Sequence, residues 1–433
     1  MNQQTSEQNV ADSADTPGNP DAAAPAAAKP VRGRGLRDSF GVLGIRDFRL
    51  LLIANALTFA GFQVRNMAQA WLVLDLTESS LWVGIVNAMP GIAIILVSLY
   101  AGAVVDRSER RGILVRSRFV IAVLSCLTAF LVTTGHIQVW HLIPIGLAMG
   151  VMFAFNNPAG QALAMDVVGR DRLISAASIN TTISNVAQIA GPAAGGVLLA
   201  LGIDWAFYLL GALYGVSWLM SAMMHTRSEK SGQARNMVAD IRAGVDYARN
   251  SPAIFSLLII STSAIFTGIF QAVVPLYARN ILEVGETGYG VMLAVQGVGS
   301  LVGSMALMVA GNIRQKGPML LLSSLLTGGS IVLFAFSGLF ALSLVAMFIM
   351  GAAFSIWFVM VPTIIQTSSA PEMRGRVMSI FFMVVLVFQL GWIVGGVLDT
   401  AIGTQAAGLI SGIGGTTIVV LTYLRSRALR SVT

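Results

Sequence analysis

Apolar residues run along this chain in blocks of about twenty, parted by short polar breaks, and that alternation is its dominant signal. A helix crossing a bilayer needs about 20 mostly apolar residues. On that measure the sequence predicts spans near 48–74, 81–105, 112–134, 140–165, 176–201, 205–224, 254–278, 287–311, 318–337, 340–366, 377–399 and 403–424. The expected fold class is therefore all-α integral membrane, with twelve transmembrane helices. The longest internal polar break, from about His225 to Ser251, divides them six plus six. The expected organisation is a tail and lead-in over 1–45, a bundle over 46–224, a linker over 225–252, a second bundle over 253–424 and a tail over 425–433. In the linker, Val238, Ile241, Val245 and Ala248 recur at helical spacing, with Asp240, Arg242, Asp246 and Arg249 on other faces. That is the pattern of an amphipathic helix at the membrane interface, read as a spacer between halves.

Composition agrees with the pattern. Of the 433 residues 55% are hydrophobic and only 11% charged, whereas a soluble domain carries about 25% charged residues. The first 31 residues are rich in Ala, Pro, Gln, Asn and Asp and contain no apolar run. They are read as a disordered tail rather than a signal peptide. The lone Cys126 excludes an intrachain disulfide and is read as packing, and His136, His141 and His225 share no helix face, so no metal site is expected. No phosphate-binding Gly-rich loop with Lys occurs, and no nucleophile and base pair stands at an interpretable spacing, so neither ATP use nor enzymatic catalysis is expected.

Charge then orients the spans. Of 27 Lys and Arg, 25 fall in breaks that share one side, among them the cluster Arg107, Arg110, Arg111, Arg116 and Arg118. By the positive-inside rule that side is cytoplasmic and so are both termini. The pI near 10 is accounted for by these loops and by attraction to lipid headgroups, not by nucleic acid. The exceptions are Arg279, on the other side, and Arg65, inside the first span.

A weak repeat links the halves. Pro158 to Leu198 runs through a span end, a charged turn and a span ending in Gly195, Gly196, Val197 and Leu198; Pro362 to Leu398 repeats that order and ends in Gly395, Gly396, Val397 and Leu398. Both copies run in one membrane direction, as in parallel-repeat transporters whose substrates bind near midplane between the halves.

The loop holding Gly102, Asp106, Arg107, Arg110 and Arg111 resembles the signature loop of the major facilitator superfamily, with Glu109 where that pattern has its second Gly. A short loop with one carboxylate and several guanidiniums can latch helices and be re-paired when they move. Gly191, Pro192, Gly195 and Gly196 are similar to the later part of the span-five motif of the family's antiporters, although Ser178 and Ala187 replace its earlier glycines. Trp71 to Ser80, Asn157 to Ala159, Val274 to Arg279 and Pro371 to Ser379 add to the likeness. Together, over residues 46 to 425, the chain resembles the twelve-span exporter branch that includes enterobactin-exporter-like and macrolide-efflux-like proteins. The resemblance implies two six-helix bundles in a prokaryotic cytoplasmic membrane, needing no partner chain and no cofactor, which move an organic small molecule outward by alternating access, driven by a proton gradient.

Polar residues inside spans are the candidate site. A guanidinium at bilayer centre costs about 2.5 to 3.5 kcal/mol on insertion scales, so Arg65 must face protein or a wet cavity. Asn55, Thr58, Phe62, Arg65 and Gln69 share its helix face. They either present a cation to a substrate in a central cavity or bond between helices. Asn156, Asn157 and Gln161 in span four and Thr181, Asn185 and Gln188 in span five form further stripes. Gln271, Gln296, Gln366 and Gln389 are isolated amides, and Trp357 and Trp392 add aromatic surface; each of these either contacts substrate or packs. No carboxylate falls near a span centre. Asp75, Asp166 and Asp399 sit at span ends, and Asp75 or Asp166 is the candidate proton-coupling group. The rival readings are a dedicated siderophore or metabolite exporter, in which Arg65 holds an anionic group, and a transport-inactive membrane scaffold or sensor.

Overall fold

A computed structural model of the protein describes residues 41–169, 202–226, 237–311, 315–370 and 372–430, together with positions 172, 176, 179, 180, 183, 186, 187, 191 and 195. The expected span 176–201 is described only at the last eight of those positions, all of them helical. The remaining helices are α1 (Arg46–Thr77), α2 (Ser80–Arg107), α3 (Arg110–Thr133), α4 (Val139–Val168), α5 (Ile203–Ala222), α6 (Met237–Asn250), α7 (Pro252–Ser261), α8 (Ala264–Leu276), α9 (Gly285–Ala310), α10 (Lys316–Phe336), α11 (Phe340–Ser368), α12 (Arg374–Val385), α13 (Phe388–Ile402), α14 (Thr404–Arg425) and α15 (Arg427–Arg430). Among the described residues 11 spans are long and apolar enough to cross a membrane, with α7 and α8 counting as one and α12 and α13 as another.

The turns follow from local chemistry. α1 stops where Glu78 turns left-handed (φ 49°), its N–H donating to the Leu74 carbonyl. α4 stops at Gly169 (φ 74°), where the missing Cβ removes the penalty of that conformation. His141 closes the start of α4 by accepting the Gln138 N–H at 3.2 Å.

Two spans that hydropathy reads as continuous are interrupted. Span seven breaks at Thr262 and Ser263, whose N–H groups reach only three residues back, to Ile259 and Ile260. It ends in a π-helical turn, Tyr277–Ile281, just after Pro275, which has no N–H to donate. Span eleven breaks at Leu386 and Val387 between α12 and α13. Backbone irregularity at this depth is tolerated where protein or a cavity covers it, a property that an apolar run does not reveal.

The linker helix α6 packs rather than lying free. Gly244 sits against Ile380 and Arg376, Ala248 is buried, and the Tyr247 hydroxyl accepts the Ala370 N–H at 3.0 Å. Arg242, Asp246 and Arg249 stay exposed. Cys126, expected in packing, is exposed on α3, with its sulfur close over Gly211.

The cores show how the halves meet. One apolar core runs through both, from Val64, Trp71, Phe153 and Phe207 in the first half to Phe270, Tyr277, Phe334 and Trp392 in the second. It occupies the side of the membrane away from the arginine loops. Toward the arginine-rich face the core splits: Leu51, Leu114 and Leu163 belong to one cluster, and Ile254, Ile364 and Phe381 to another. The halves are therefore joined on one side and have separate cores on the other.

Candidate functional site

The joint is made by α2 against α13, and glycine makes it tight. A Cβ on Gly84 would strike the Trp392 carbonyl, one on Gly396 would strike the Ser80 carbonyl, and one on Gly91 would strike the Gln389 side chain. Ser80 Oγ lies 3.3 Å from both the Gly396 carbonyl and Thr400 Oγ1. Around this seam Trp71 stacks on Tyr289 at 5.9 Å, and Arg279 reaches Asp75 at 3.5 Å and Glu78 at 3.9 Å. Among the described residues, every hydrogen bond or ion pair between the bundles lies on this closed side.

Two cations are buried among the described residues, Arg65 and Arg118, at 3% and 2% exposure, with no carboxylate buried beside them. Arg118 is a correction to the sequence reading, which grouped it with the loop arginines. It lies eight residues into α3, about 12 Å along the helix axis. Its guanidinium donates to Asn55 Oδ1 and Ser221 Oγ, both at 2.5 Å, and to Asn156 Oδ1 at 3.3 Å. Asn55 passes its own N–H to Asn180 at 3.1 Å. One turn on, Thr58 shares a 2.7 Å hydrogen bond with Ser217. The signal missed in the sequence was double: Arg118 already falls inside the predicted span 112–134, and Tyr214, Ser217 and Ser221 form a polar stripe at helical spacing on α5.

The face that carries Asn55, Thr58, Phe62, Arg65 and Gln69 thus turns into the first bundle, against α3, α4 and α5. Arg65 is held mainly by its own helix, donating to Gln69 Oε1 at 3.0 Å and Asn66 Oδ1 at 2.6 Å, with its charge 5.4 Å over the Phe62 ring. Phe62 meets Phe153 at 5.6 Å, and Phe153 meets Tyr214 at 6.3 Å. Gln69 Nε2 donates to the Val86 carbonyl at 3.2 Å. Arg65 Nε and the Tyr214 hydroxyl are buried with no partner among the described residues.

The other candidates do not converge on one site. Asn157 and Gln161 are exposed, one turn apart on α4, and Gln366 is exposed on α11; Gln271, Gln296 and Gln389 are half-buried. Trp357 and Trp392 are buried. Trp357 stacks on Phe354 at 5.8 Å beside a cavity of about 40 Å³ inside the second bundle, room for about three waters. Ser263 and Thr267 at the break of span seven line it together with Ser324, Thr327, Ser411 and Thr416. Thr181, Asn185 and Gln188 lie outside the described residues.

On the arginine-rich face, Arg110 pairs with Asp166 at 2.6 Å and Arg111 donates to the Ala222 carbonyl at 2.8 Å. The loop therefore ties α3 to the ends of α4 and α5. Gly102 and Asp106 are half-buried at the end of α2 and Arg107 is exposed. Glu109, standing where the family pattern has glycine, takes φ −67° at the start of α3, so no glycine is needed there. In the span-five motif, Gly191 backs onto the Ala60 carbonyl and Gly195 onto Val64 and Met67 of α1; Pro192 and Gly196 lie outside the described residues. Asp399 accepts a hydrogen bond from Thr404 at 2.5 Å.

Two helical bundles that share one core on one membrane side and have separate cores on the other, with a buried polar network inside the first, are the arrangement of a major facilitator transporter. Comparison with known proteins agrees. The family model described as "Transmembrane secretion effector" matches residues 38–431, and the chain belongs to that family. It is 24% identical to the staphyloferrin A transporter of Staphylococcus aureus (strain NCTC 8325 / PS 47), over 87% of this chain and 96% of that one. It is 26% identical to the multidrug efflux pump Tap of Mycolicibacterium fortuitum, over 82% and 90%, and 22% identical to the enterobactin exporter EntS of Escherichia coli (strain HS, O9:H4), over 85% of each. Among solved structures, the nucleoside transporter NupG superposes with a TM-score of 0.70 at 14% identity, covering 88% of this chain and 99% of that one. A bacterial homologue of the human lysosomal transporter Spinster gives 0.70 at 13% identity, covering 93% and 98%. The chain is a multi-pass membrane transporter and not an enzyme.

Proposed function

We propose that the protein is a secondary-active exporter of a hydrophobic or amphiphilic small molecule, working by alternating access in a cytoplasmic membrane with its arginine-rich face and both termini inside. The observation that carries this reading is the split core: the bundles share one core on the side away from the arginine loops and have two separate cores on the arginine-rich side. That is the state in which an exporter takes up cargo from the cytoplasm. The printed activities of the relatives, export of enterobactin and efflux of drugs, support the direction.

Proton antiport is the proposed energy coupling, with Asp75 and Asp166 as its candidate groups. Each carboxylate already has an arginine partner: protonation of Asp75 would weaken its contact with Arg279 across the bundles, which holds one conformation, and protonation of Asp166 would weaken its tie to Arg110 within the first bundle. In a host stripped of its own efflux pumps, the protein is expected to lower the accumulation of at least one drug, dye or siderophore, and a proton uncoupler to restore it. Asp75→Asn with Asp166→Asn should abolish the uncoupler-sensitive part. Export that survives in the double variant and still collapses with the uncoupler would remove both residues from the coupling role; no change with any compound would favour the scaffold reading.

A second reading, a dedicated siderophore or other anionic-metabolite exporter, is favoured by the two buried guanidiniums without a buried carboxylate among the described residues. Arg65, with an unpartnered Nε, is its candidate anion contact. On this reading Arg65→Gln selectively lowers export of catecholate or carboxylate compounds, by tenfold or more, and spares neutral and cationic dyes. Equal loss for all compounds would mark Arg65 as structural.

A further inference from the structure

On the arginine-rich face a groove of about 680 Å³ opens sideways between α7, α14 and α15. One wall is apolar: Phe255, Ile259 and Leu421 are 46%, 37% and 47% exposed. At its mouth stand Arg425 and Arg427, both exposed, on either side of Ser426. No acidic residue lines the groove. Neither guanidinium has a hydrogen bond or ion pair to a described residue, and the Ser426 hydroxyl is engaged with the Leu429 N–H at 3.2 Å.

Depth sorts these features. α7 begins at Pro252 and α14 ends at Arg425, so both helices meet the membrane surface here, and the apolar wall lies one to two turns deeper, in hydrocarbon. The upper methylenes of an acyl chain can lie along that wall. A headgroup at the mouth would meet two forked donors that match phosphate oxygens bidentately. Basic pockets between transmembrane helices are a recognised form of headgroup site, and chain plus charge selects an anionic lipid over a zwitterionic one. Loop arginines in general anchor a span by their charge alone; what sets this place apart is an open groove of about 680 Å³ with an apolar wall beneath the charges.

We infer that this groove holds one molecule of an anionic phospholipid of the phosphatidylglycerol class, with its phosphate between Arg425 and Arg427 and a chain along Phe255, Ile259 and Leu421. The inference stands apart from the transport reading, since it needs only that the chain spans a membrane.

The experiment is native mass spectrometry of the full-length protein released from nanodiscs of equal phosphatidylglycerol and phosphatidylethanolamine. Wild type is expected to retain one phosphatidylglycerol, at least fivefold over phosphatidylethanolamine. R425Q/R427Q should lose that preference, and R425K/R427K should keep part of it. R242Q, which removes one exposed charge from α6 outside the groove, should keep all of it. Three outcomes each overturn the site: no preference in wild type, retention undiminished in R425Q/R427Q, or a loss in R242Q equal to that of the double variant, which would mean surface charge alone. A protein dimer that R425Q/R427Q dissolves, with no lipid bound to wild type, would also overturn it by giving the groove to a second copy.

Discussion

Gly84→Val is expected to drive the transporter out of the state described here, lowering its population roughly ten- to hundredfold while leaving each bundle folded. Gly84 faces the other half: the atoms nearest a Cβ built on it are the Trp392 carbonyl and Ile393 Cα of α13. Both are backbone, so no rotamer change relieves the clash and the two helices must part. Forcing atoms into a packed contact costs about 1–3 kcal/mol, and each 1.4 kcal/mol is tenfold in an equilibrium. The penalty applies only where α2 and α13 touch. Once the halves rock apart on this side the valine has room, so the alternate state is unaffected and gains population.

The readout is already in the structure. Ser80 Oγ and Thr400 Oγ1 lie 3.3 Å apart across the joint, so Ser80→Cys with Thr400→Cys, in a Cys126→Ser background, should be bridged rapidly by a short thiol crosslinker. Adding Gly84→Val should slow bridging at least tenfold. Gly215→Val is the control, because a Cβ at Gly215 meets nothing within 4 Å; it should leave bridging unchanged. Equal bridging with and without Gly84→Val would mean that the α2 and α13 contact does not set the conformational balance.

The sequence made the span pattern and the arginine asymmetry legible because both depend on composition over a window. It also gave the small-residue positions Gly395 and Gly396, but not their partners. Gly395 backs onto Ile269 and Ala272 within its own bundle, whereas Gly396 backs onto Ser80 and Leu81 across the joint. One residue of offset turns a packing glycine into an interdomain one, and no local pattern distinguishes them. The breaks at Thr262 and Leu386 were invisible for a related reason: hydropathy is blind to which carbonyls are bonded. Arg65 was found because it stands alone in an apolar run. Arg118 was missed because four other arginines stand near it in sequence, and a charge near a span end reads as a loop charge until its acceptors are seen. The stripe from Asn55 to Gln69 was found as a face, but whether that face met the cleft or the bundle interior depended on helices distant in sequence.

Arg118→Leu is expected to destabilise the first bundle by about 3 kcal/mol, a large share of the 5–15 kcal/mol typical of a folded protein. The guanidinium is the common donor to three acceptors on three other helices, Asn55 of α1, Asn156 of α4 and Ser221 of α5. Leucine restores none of these, and each buried acceptor left unmatched costs about 1–3 kcal/mol. Opposing that, removing a buried cation recovers about 3 kcal/mol of its insertion penalty. The first effect wins because it acts at three places, although Ser221 keeps its 2.7 Å hydrogen bond to the Ser217 carbonyl. Arg118→Lys should recover only part of the loss, since an ammonium lacks the planar fork that serves acceptors in different directions. The check is the unfolding midpoint of the purified variants, with the Asn55→Ala/Arg118→Leu double variant added. If the two residues act through their shared hydrogen bond, the double variant loses less than the sum of the single losses. Full stability in Arg118→Leu, or strict additivity, would show that the seam does not hold the bundle together. A seam that does so makes α1, α3, α4 and α5 move as one body.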